Sequence, residues 1–310
     1  MAYQTGTAAG PTALLESIRL FALSLGWTVS YYGDDPQNTG TNDLWLSLVS
    51  ATGSYFNLLA HNTTGKVLTR GATGYTNNSN RNSQPGQSNG WAETNGLTGP
   101  YQAYYFFGGA DYLHVVIERV TNQFSHLHIG TLEKGGNYVG GEYHTCTRWY
   151  YGSTTEQNVP DSPYNVYPFD SSGNYWSDDT YQCVRMGADG DPTKWYNTPR
   201  QWQTISNNTF VTGFLRSYSI MHRMMLRSPN SMTGQSILIP SVVAGPRSAG
   251  GTAIYGTVKD LRAVNIANIT PKEIITIGTD QWMIFPVIRK GLTTQYEACS
   301  GNYGLAYRKT

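Results

Sequence analysis

The sequence predicts a mainly β protein with a sandwich- or barrel-like core, one short N-terminal helix and long loop insertions. Three observations support this fold class. Charged residues make up 13% of the 310 residues, about half the usual share, so the polar surface is built largely from uncharged side chains. The 34 glycines are typical of turns and the 23 tyrosines of strands. Short aromatic and aliphatic runs alternate with Gly, Asn and Asp clusters, as strands separated by turns do.

One segment near the N-terminus has helical periodicity. Its apolar residues fall on one face and are Leu14, Leu15, Ile18, Phe21, Ala22 and Leu25. Pro11 and Thr12 suit the start of a helix, and Gly26 suits its end. We expect this helix to cover a β core.

Short strands are predicted from Trp27 onward. In the first half they occupy residues 27–32, 44–49, 55–60, 103–108 and 111–120. A turn at residues 121–123 then predicts a hairpin with residues 124–133. In the last third, short strands are expected within residues 235–240, 253–266, 273–278 and 281–290.

The chain divides into three parts by composition. Residues 1–150 are expected to form the helix and a β core, and residues 151–205 an aromatic, loop-rich insertion. Residues 206–310 are expected to complete the core or to form a second small β domain. Within the first part, residues 71–100 contain almost no aliphatic side chains, which predicts a long exposed loop.

The long loops are the predicted contact surfaces. Exposed Tyr and Trp anchor protein interfaces and also stack on sugar rings, and one core cannot hold so many aromatic rings. The candidate interface residues are Tyr75, Trp91, Tyr164, Tyr167, Tyr175, Trp176, Trp195 and Tyr196.

The segment from His126 to Cys146 is the strongest candidate for a metal site. His126 and His128 alternate, as do His144 and Cys146, so each pair shares one face of a strand, a geometry that suits zinc or copper. The segment lacks the H-E-x-x-H pair that many zinc enzymes carry. Histidines alternating with Leu127 and Ile129 are also typical of a half-exposed strand, and this interpretation is preferred. It predicts no metal site and expects His126→Ala to leave the fold intact.

Other patterns point away from catalysis and from cofactors. The acidic group at Asp178, Asp179, Asp189 and Asp191 lacks the EF-hand spacing, so these residues are expected in turns. The chain has no phosphate-binding Gly-rich loop, and its G-x-S-x-G match at residues 86–90 lies within the predicted loop 71–100 and not at a strand-to-helix turn. We therefore expect neither an enzyme nor a bound cofactor, although two carboxylates that meet only in space could still serve a glycan hydrolase.

The net charge limits the expected partners, and the cysteine content indicates the cellular compartment. The formal net charge of +1 provides no broad field for nucleic acid or an anionic membrane, so neither is an expected partner. Three widely spaced cysteines do not form a disulfide framework, which favours synthesis in a cytoplasm.

Three stretches resemble uncharacterised virion structural proteins of tailed bacteriophages. They are "YQTGTAAGPTALLESIRLFALSLGWTV" at the N-terminus, "FSHLHIGTLEKGGNYVGGEY" in the middle, and "TDQWMIFPVIRKG" with "SGNYGLAYRK" at the end. Together they cover 70 of the 310 residues. Residues from about 150 to 205 have no counterpart in this resemblance.

The resemblance implies a structural subunit of the tail, neck or collar, or baseplate. Such a subunit would form a symmetric homo-oligomer, contact other virion proteins and be assembled in the host cytoplasm. The alternative is a receptor- or carbohydrate-binding module on the phage tail that recognises a host-surface glycan. Under the resemblance, residues 133–146 form a strand–turn–strand element whose glycines permit tight turns.

Overall fold

The computed structural model describes residues 1–88, 90–94, 96–147, 183–186, 195–197, 212–213, 234–246, 252–291 and 302–310. The predicted mainly β fold is confirmed, with antiparallel sheets arranged as in a sandwich. The described residues contain one helix, α1 (Pro11–Ser24). Their strands are β1 (Ala2–Gly6), β2 (Thr28–Asp34), β3 (Leu44–Val49), β4 (Tyr55–His61), β5 (Lys66–Ala72), β6 (Ala92–Thr94), β7 (Ala103–Gly108), β8 (Tyr112–Val120), β9 (Gln123–Thr131), β10 (Glu133–Lys134), β11 (Gly140–Cys146), β12 (Cys183–Met186), β13 (Trp195–Asn197), β14 (Thr212–Gly213), β15 (Ile239–Pro246), β16 (Thr252–Asn265), β17 (Ile274–Ile277), β18 (Asp280–Pro286) and β19 (Tyr303–Arg308).

The N-terminal helix forms where its periodicity predicts. Pro11 lies in the first turn, where its missing N–H costs nothing. Gly26 follows the helix with φ of +80°, a conformation that glycine adopts without strain. All the predicted apolar positions within the helix are buried, and they are Leu14, Leu15, Ile18, Phe21 and Ala22.

Three sheets stack in layers. The middle layer, called the central sheet, has the order β1-β7-β8-β9-β11-β12-β13. The helix-side sheet has the order β2-β3-β4-β5-β6. The C-terminal sheet has the order β14-β15-β16-β19-β18-β17, and the short strand β10 also pairs with β16.

The central sheet is buried on both faces, so it separates two apolar cores. On one face, Phe106, Leu127 and Ile129 pack against helix α1 and the helix-side sheet. On the other face, Phe107 and Phe124 pack against Phe285 and other residues of the C-terminal sheet. Burial of both faces explains why β9 is apolar at alternate positions and still has no solvent-facing side.

The three predicted parts of the chain share these layers. Strands β12 and β13 belong to the predicted insertion, yet they extend the central sheet beside β11. The C-terminal strands supply most of the C-terminal sheet and pack on the central sheet through one apolar cluster.

The predicted exposed loop 71–100 is more tightly held than its composition indicates. Gln84 is 3% exposed, and its side-chain amide bonds to the backbone of Thr76, Asn77 and Asn80. Arg81 forms an ion pair with the fully buried Asp35. The described residues of segment 73–91, hereafter the polar loop, fold over the outer face of the helix-side sheet, where Tyr75 and Trp91 pack around Trp45. The expectation that this segment buries little is wrong, because polar side chains satisfy its backbone groups internally.

Candidate functional site

The histidines singled out in the sequence lie in the interior. His126 and His128 alternate on β9 as predicted, and both are 0% exposed. His114 on β8 lies directly opposite His128 and is also fully buried. The expectation of a half-exposed strand is wrong, because the C-terminal sheet covers this face of β9.

These three histidines and Tyr307 of β19 form a compact group, hereafter the histidine layer. The rings of His126 and His128 each lie 5.8 Å from the ring of Tyr307 and are nearly parallel to it. His114 meets the ring of His128 edge-on at 5.0 Å. The layer therefore fills the space between the central and C-terminal sheets with stacked rings.

Hydrogen bonds join the histidine layer to the C-terminal sheet. The Nε2 atom of His126 donates to the carbonyl oxygen of Pro286 at 3.0 Å. The Nδ1 atom of the same ring must then accept, and it lies 2.6 Å from the Tyr307 hydroxyl, which donates. Both ring nitrogens of His126 are thus used between the two sheets.

The hydrogen bond between His114 and His128 also has a fixed direction, because a backbone carbonyl determines which nitrogen of His114 donates. His114 donates from Nε2 to the carbonyl oxygen of Lys259 at 2.8 Å, which leaves its Nδ1 as an acceptor. His128 Nδ1 lies 3.1 Å from that atom and donates to it. Among the described residues, none lies within hydrogen-bond distance of His128 Nε2.

Burial keeps the histidine layer uncharged at neutral pH. It lowers the pKa of His114 and of His126 from 6.5 to about 4. The pKa of His128 is also well below its ordinary value, because of burial first and then the nearby His114 and His126. Burial raises the pKa of Tyr307 well above its ordinary range. All four rings therefore act as neutral hydrogen-bonding groups.

The pair His126 and His128 and the pair His144 and Cys146 could have shared a metal ion, but the strand register places them on opposite faces of the central sheet. His128 lies opposite Thr145 across the β9–β11 ladder, so it shares a face with Thr145 and not with its neighbours His144 and Cys146. His144 instead points toward the helix-side sheet, where Nε2 lies 2.9 Å from the Ser88 hydroxyl. The central sheet therefore stands between the pairs. In the part of the chain that the structure describes, no three His, Cys, Asp or Glu side chains are arranged to hold a metal ion.

The Ser88–His144 contact and the nearby thiol have no access to solvent. Ser88 and His144 are each 0% exposed, and Cys146 is 2% exposed. Burial, with the nearby charge of Arg70, lowers the pKa of His144 to about 3. Burial raises the pKa of the Cys146 thiol to about 12, so the thiol is protonated at neutral pH. These groups hold β11 against the helix-side sheet.

The predicted interface residues fall in three different places. Tyr75 and Trp91 are partly buried on the outer face of the helix-side sheet, around the buried Trp45. Trp195 is 5% exposed and donates from its indole N–H to the carbonyl oxygen of Gly86 in the polar loop. Tyr196 lies in β13. Whether these positions contact another subunit stays a prediction.

Several sequence predictions concern residues outside the described ranges. They are the candidate interface residues Tyr164, Tyr167, Tyr175 and Trp176 and the acidic residues Asp178, Asp179, Asp189 and Asp191.

Two members of the histidine layer were missed by sequence reasoning. His114 lies in an apolar strand where its alternation with Tyr112 and Val116 is the only local signal. Tyr307 is 181 residues from His126 along the chain, so no local pattern joins them.

Comparison with known proteins finds no family model that matches the chain and no significantly similar curated protein. Among the described residues, no helix has the length and apolar character needed to cross a membrane.

Proposed function

We propose that this chain is a structural subunit of a tailed bacteriophage particle. It assembles as a symmetric homo-oligomer at the tail, neck or collar, or baseplate, together with other virion proteins, after synthesis in the host cytoplasm. The observation that supports the proposal most directly is the structural role of the histidine layer. Side chains that commonly perform chemistry are here neutral and buried, and their hydrogen bonds join two sheets.

The surface offers apolar side chains for subunit contacts. Ile274, Ile277 and Leu20 are 42%, 52% and 52% exposed, and they lie on β17 and α1. Apolar side chains that lie outside the core contribute to binding when a partner covers them. In a symmetric assembly one patch is used many times, so modest contacts add up to a stable ring or sleeve.

The sequence resemblance in the first, middle and last parts of the chain supports the phage assignment. These parts correspond to α1, to the β9–β11 region and to β18–β19, which lie in the helix, the central sheet and the C-terminal sheet. The resemblance thus concerns the packed framework of the fold.

Immunogold electron microscopy of phage particles tests the proposal. An antibody against this chain is expected to label a reproducible ring at the neck, tail or baseplate. Label confined to fibre tips would favour the alternative below. Absence of the chain from a blot of dissociated particles would overturn the structural role.

The alternative is a receptor- or carbohydrate-binding module, and one observation favours it. Tyr31, Tyr75 and Trp91 are only partly buried on the outer face of the helix-side sheet, and the Trp91 indole N–H donates to the side chain of Asn82. Aromatic rings beside amide side chains suit a sugar ring. Under this alternative a glycan array shows binding that Trp91→Ala abolishes and Leu20→Ala, on the distant helix, does not change.

A further inference from the structure

Strand β17 is the last strand of the C-terminal sheet and is unusually apolar for an edge. Its sequence is Ile-Ile-Thr-Ile, and Ile274 and Ile277 are 42% and 52% exposed. Its inner neighbour is β18, and no other described strand pairs with it. Edge strands usually carry Lys, Pro or a bulge that prevents pairing with another chain, and residues 274–277 carry none of these.

The hairpin geometry determines which backbone groups of β17 point outward. Ile277 and Asp280 flank a two-residue turn in which Gly278 has φ of +62°, as a tight hairpin turn requires. The Ile284 N–H bonds to the carbonyl oxygen of Glu273 at 2.9 Å, so the odd-numbered positions of β17 bond to β18. The N–H and C=O groups of Ile274 and Thr276 therefore point away from the sheet.

We propose that β17 pairs antiparallel with β17 of a second copy of this chain, about a two-fold axis through Thr276. A two-fold axis perpendicular to the sheet leaves the same face of both copies on the same side of the joined sheet. Even-numbered residues can therefore lie opposite only even-numbered residues, and odd-numbered residues opposite only odd-numbered ones. When the pair is centred on Thr276, the outward N–H and C=O groups of Thr276 form hydrogen bonds with those of Thr276 in the second copy. The outward groups of Ile274 form hydrogen bonds with Gly278 of the second copy. The proposal rests on the self-assembly proposed above and names one surface for it.

The Thr276-centred register is chemically self-complementary. It places Ile275 opposite Ile277 of the second copy, and this contact occurs twice. Thr276 lies opposite its own copy, a favourable cross-strand pair. Centring on Ile275 would instead place Ile277 opposite the charged Glu273.

The contact also continues an apolar surface that each chain already has. Ile275 packs against a cluster on the outer face of the C-terminal sheet that includes Trp282 and Ile284. Ile277 lies on the same face as Ile275. Pairing therefore joins the two clusters through four isoleucines. A ladder of four residues is short, so the contact gains strength from repetition in a larger assembly.

Cross-linking and sedimentation of the full chain test this pairing. In a hydrogen-bonded antiparallel pair, opposite Cα atoms lie about 5.5 Å apart, within disulfide range. Thr276→Cys is expected to give a disulfide-linked dimer on mild oxidation, well above the level in the parent protein. Ile254→Cys, at a position 66% exposed on β16, is the matched control and should stay at that level. Ile277→Lys should shift the sedimenting species to a smaller size, whereas Ile254→Lys should not.

The outcomes separate this proposal from the proposed self-assembly. An oligomeric parent protein that Ile277→Lys leaves unchanged, with no disulfide in Thr276→Cys, would overturn the β17 contact and leave self-assembly standing. A parent protein that is monomeric at every concentration, with no Thr276→Cys dimer, would overturn both. Circular dichroism of each variant confirms that the substitutions leave the sheet folded.

Discussion

The Tyr307 hydroxyl donates a hydrogen bond to Nδ1 of His126, 2.6 Å away, although the two residues are 181 positions apart. The same imidazole donates from Nε2 to the carbonyl oxygen of Pro286. One side chain of the central sheet therefore binds two neighbouring strands of the C-terminal sheet, β18 and β19. A buried polar group with both partners satisfied makes the packing of the two sheets specific.

Because His126 is buried, removal of its side chain should destabilise the fold, contrary to the expectation from its strand pattern that His126→Ala leaves the fold intact. His126→Ala leaves the Tyr307 hydroxyl and the Pro286 carbonyl without this partner and creates a cavity. We expect the free energy of unfolding to fall by about 2–4 kcal/mol in urea denaturation. Thr64→Ala, at an exposed turn position, should change it by less than about 0.5 kcal/mol. Equal stability of both variants would show that the histidine layer does not hold the sheets together.

Acid should weaken the fold through the same residues. The folded-state pKa of His114 and of His126 is about 4 and the ordinary value is 6.5, so the unfolded chain binds more protons between these limits. Stability from these groups is complete above pH 6.5 and is lost as the pH falls toward 4. For each unit by which the pH falls in this interval, each histidine lowers the free energy of unfolding by up to about 1.4 kcal/mol. Urea denaturation at several pH values checks this, and His126→Gln should give a shallower decline than the parent protein. An unfolding free energy independent of pH over this interval would contradict the buried neutral state.

Gly71 should tolerate no side chain. A Cβ atom at this position would overlap the indole ring of Trp195, which packs over β5. Gly71→Ala must therefore displace Trp195 and its hydrogen bond to Gly86, with a loss of about 1–3 kcal/mol. The control is Gly136→Ala, because a Cβ there meets nothing within 4 Å. Intrinsic tryptophan fluorescence and urea denaturation report the two effects, and identical behaviour of the two variants would contradict the placement of β13.

The polar loop should depend on the ion pair between Arg81 and Asp35. Arg81→Ala leaves the Asp35 carboxylate, which is 0% exposed, without its cation. The expected loss is about 3–5 kcal/mol, together with faster proteolysis within residues 76–90. Arg19→Ala removes a partly exposed pair with Glu16 on the helix and should cost less than about 1 kcal/mol. Unchanged proteolysis in Arg81→Ala would mean that other contacts hold the loop.

Local patterns predicted the helix and many of the strands, because the information lies within each segment, but they did not predict β1, β5 or β6. The spacing of Leu14, Ile18 and Phe21 identifies the buried face of α1, and the run Leu44–Val49 coincides with β3. The turn before Gln123 was likewise predicted, and Asn122 there has φ of +61°. The strand–turn–strand element of residues 133–146 was also placed correctly.

The histidine layer and the polar loop could not be predicted from local patterns. Alternation places His126 and His128 on one face, but only the distant strand β19 decides whether that face meets water. The polar composition of residues 73–91 indicated exposure, because the buried partner of Arg81 lies 46 residues earlier in the chain. In both cases the missing information is a contact between distant segments.

Quantitative mass spectrometry of purified phage particles tests the central claim most directly. The measurement compares the amount of this chain with that of other virion proteins in particles washed free of lysate. A structural subunit should be present at a fixed copy number, the same in every preparation and consistent with a symmetric assembly. Absence of the chain, or an amount that falls with each wash, would contradict a structural role in the particle.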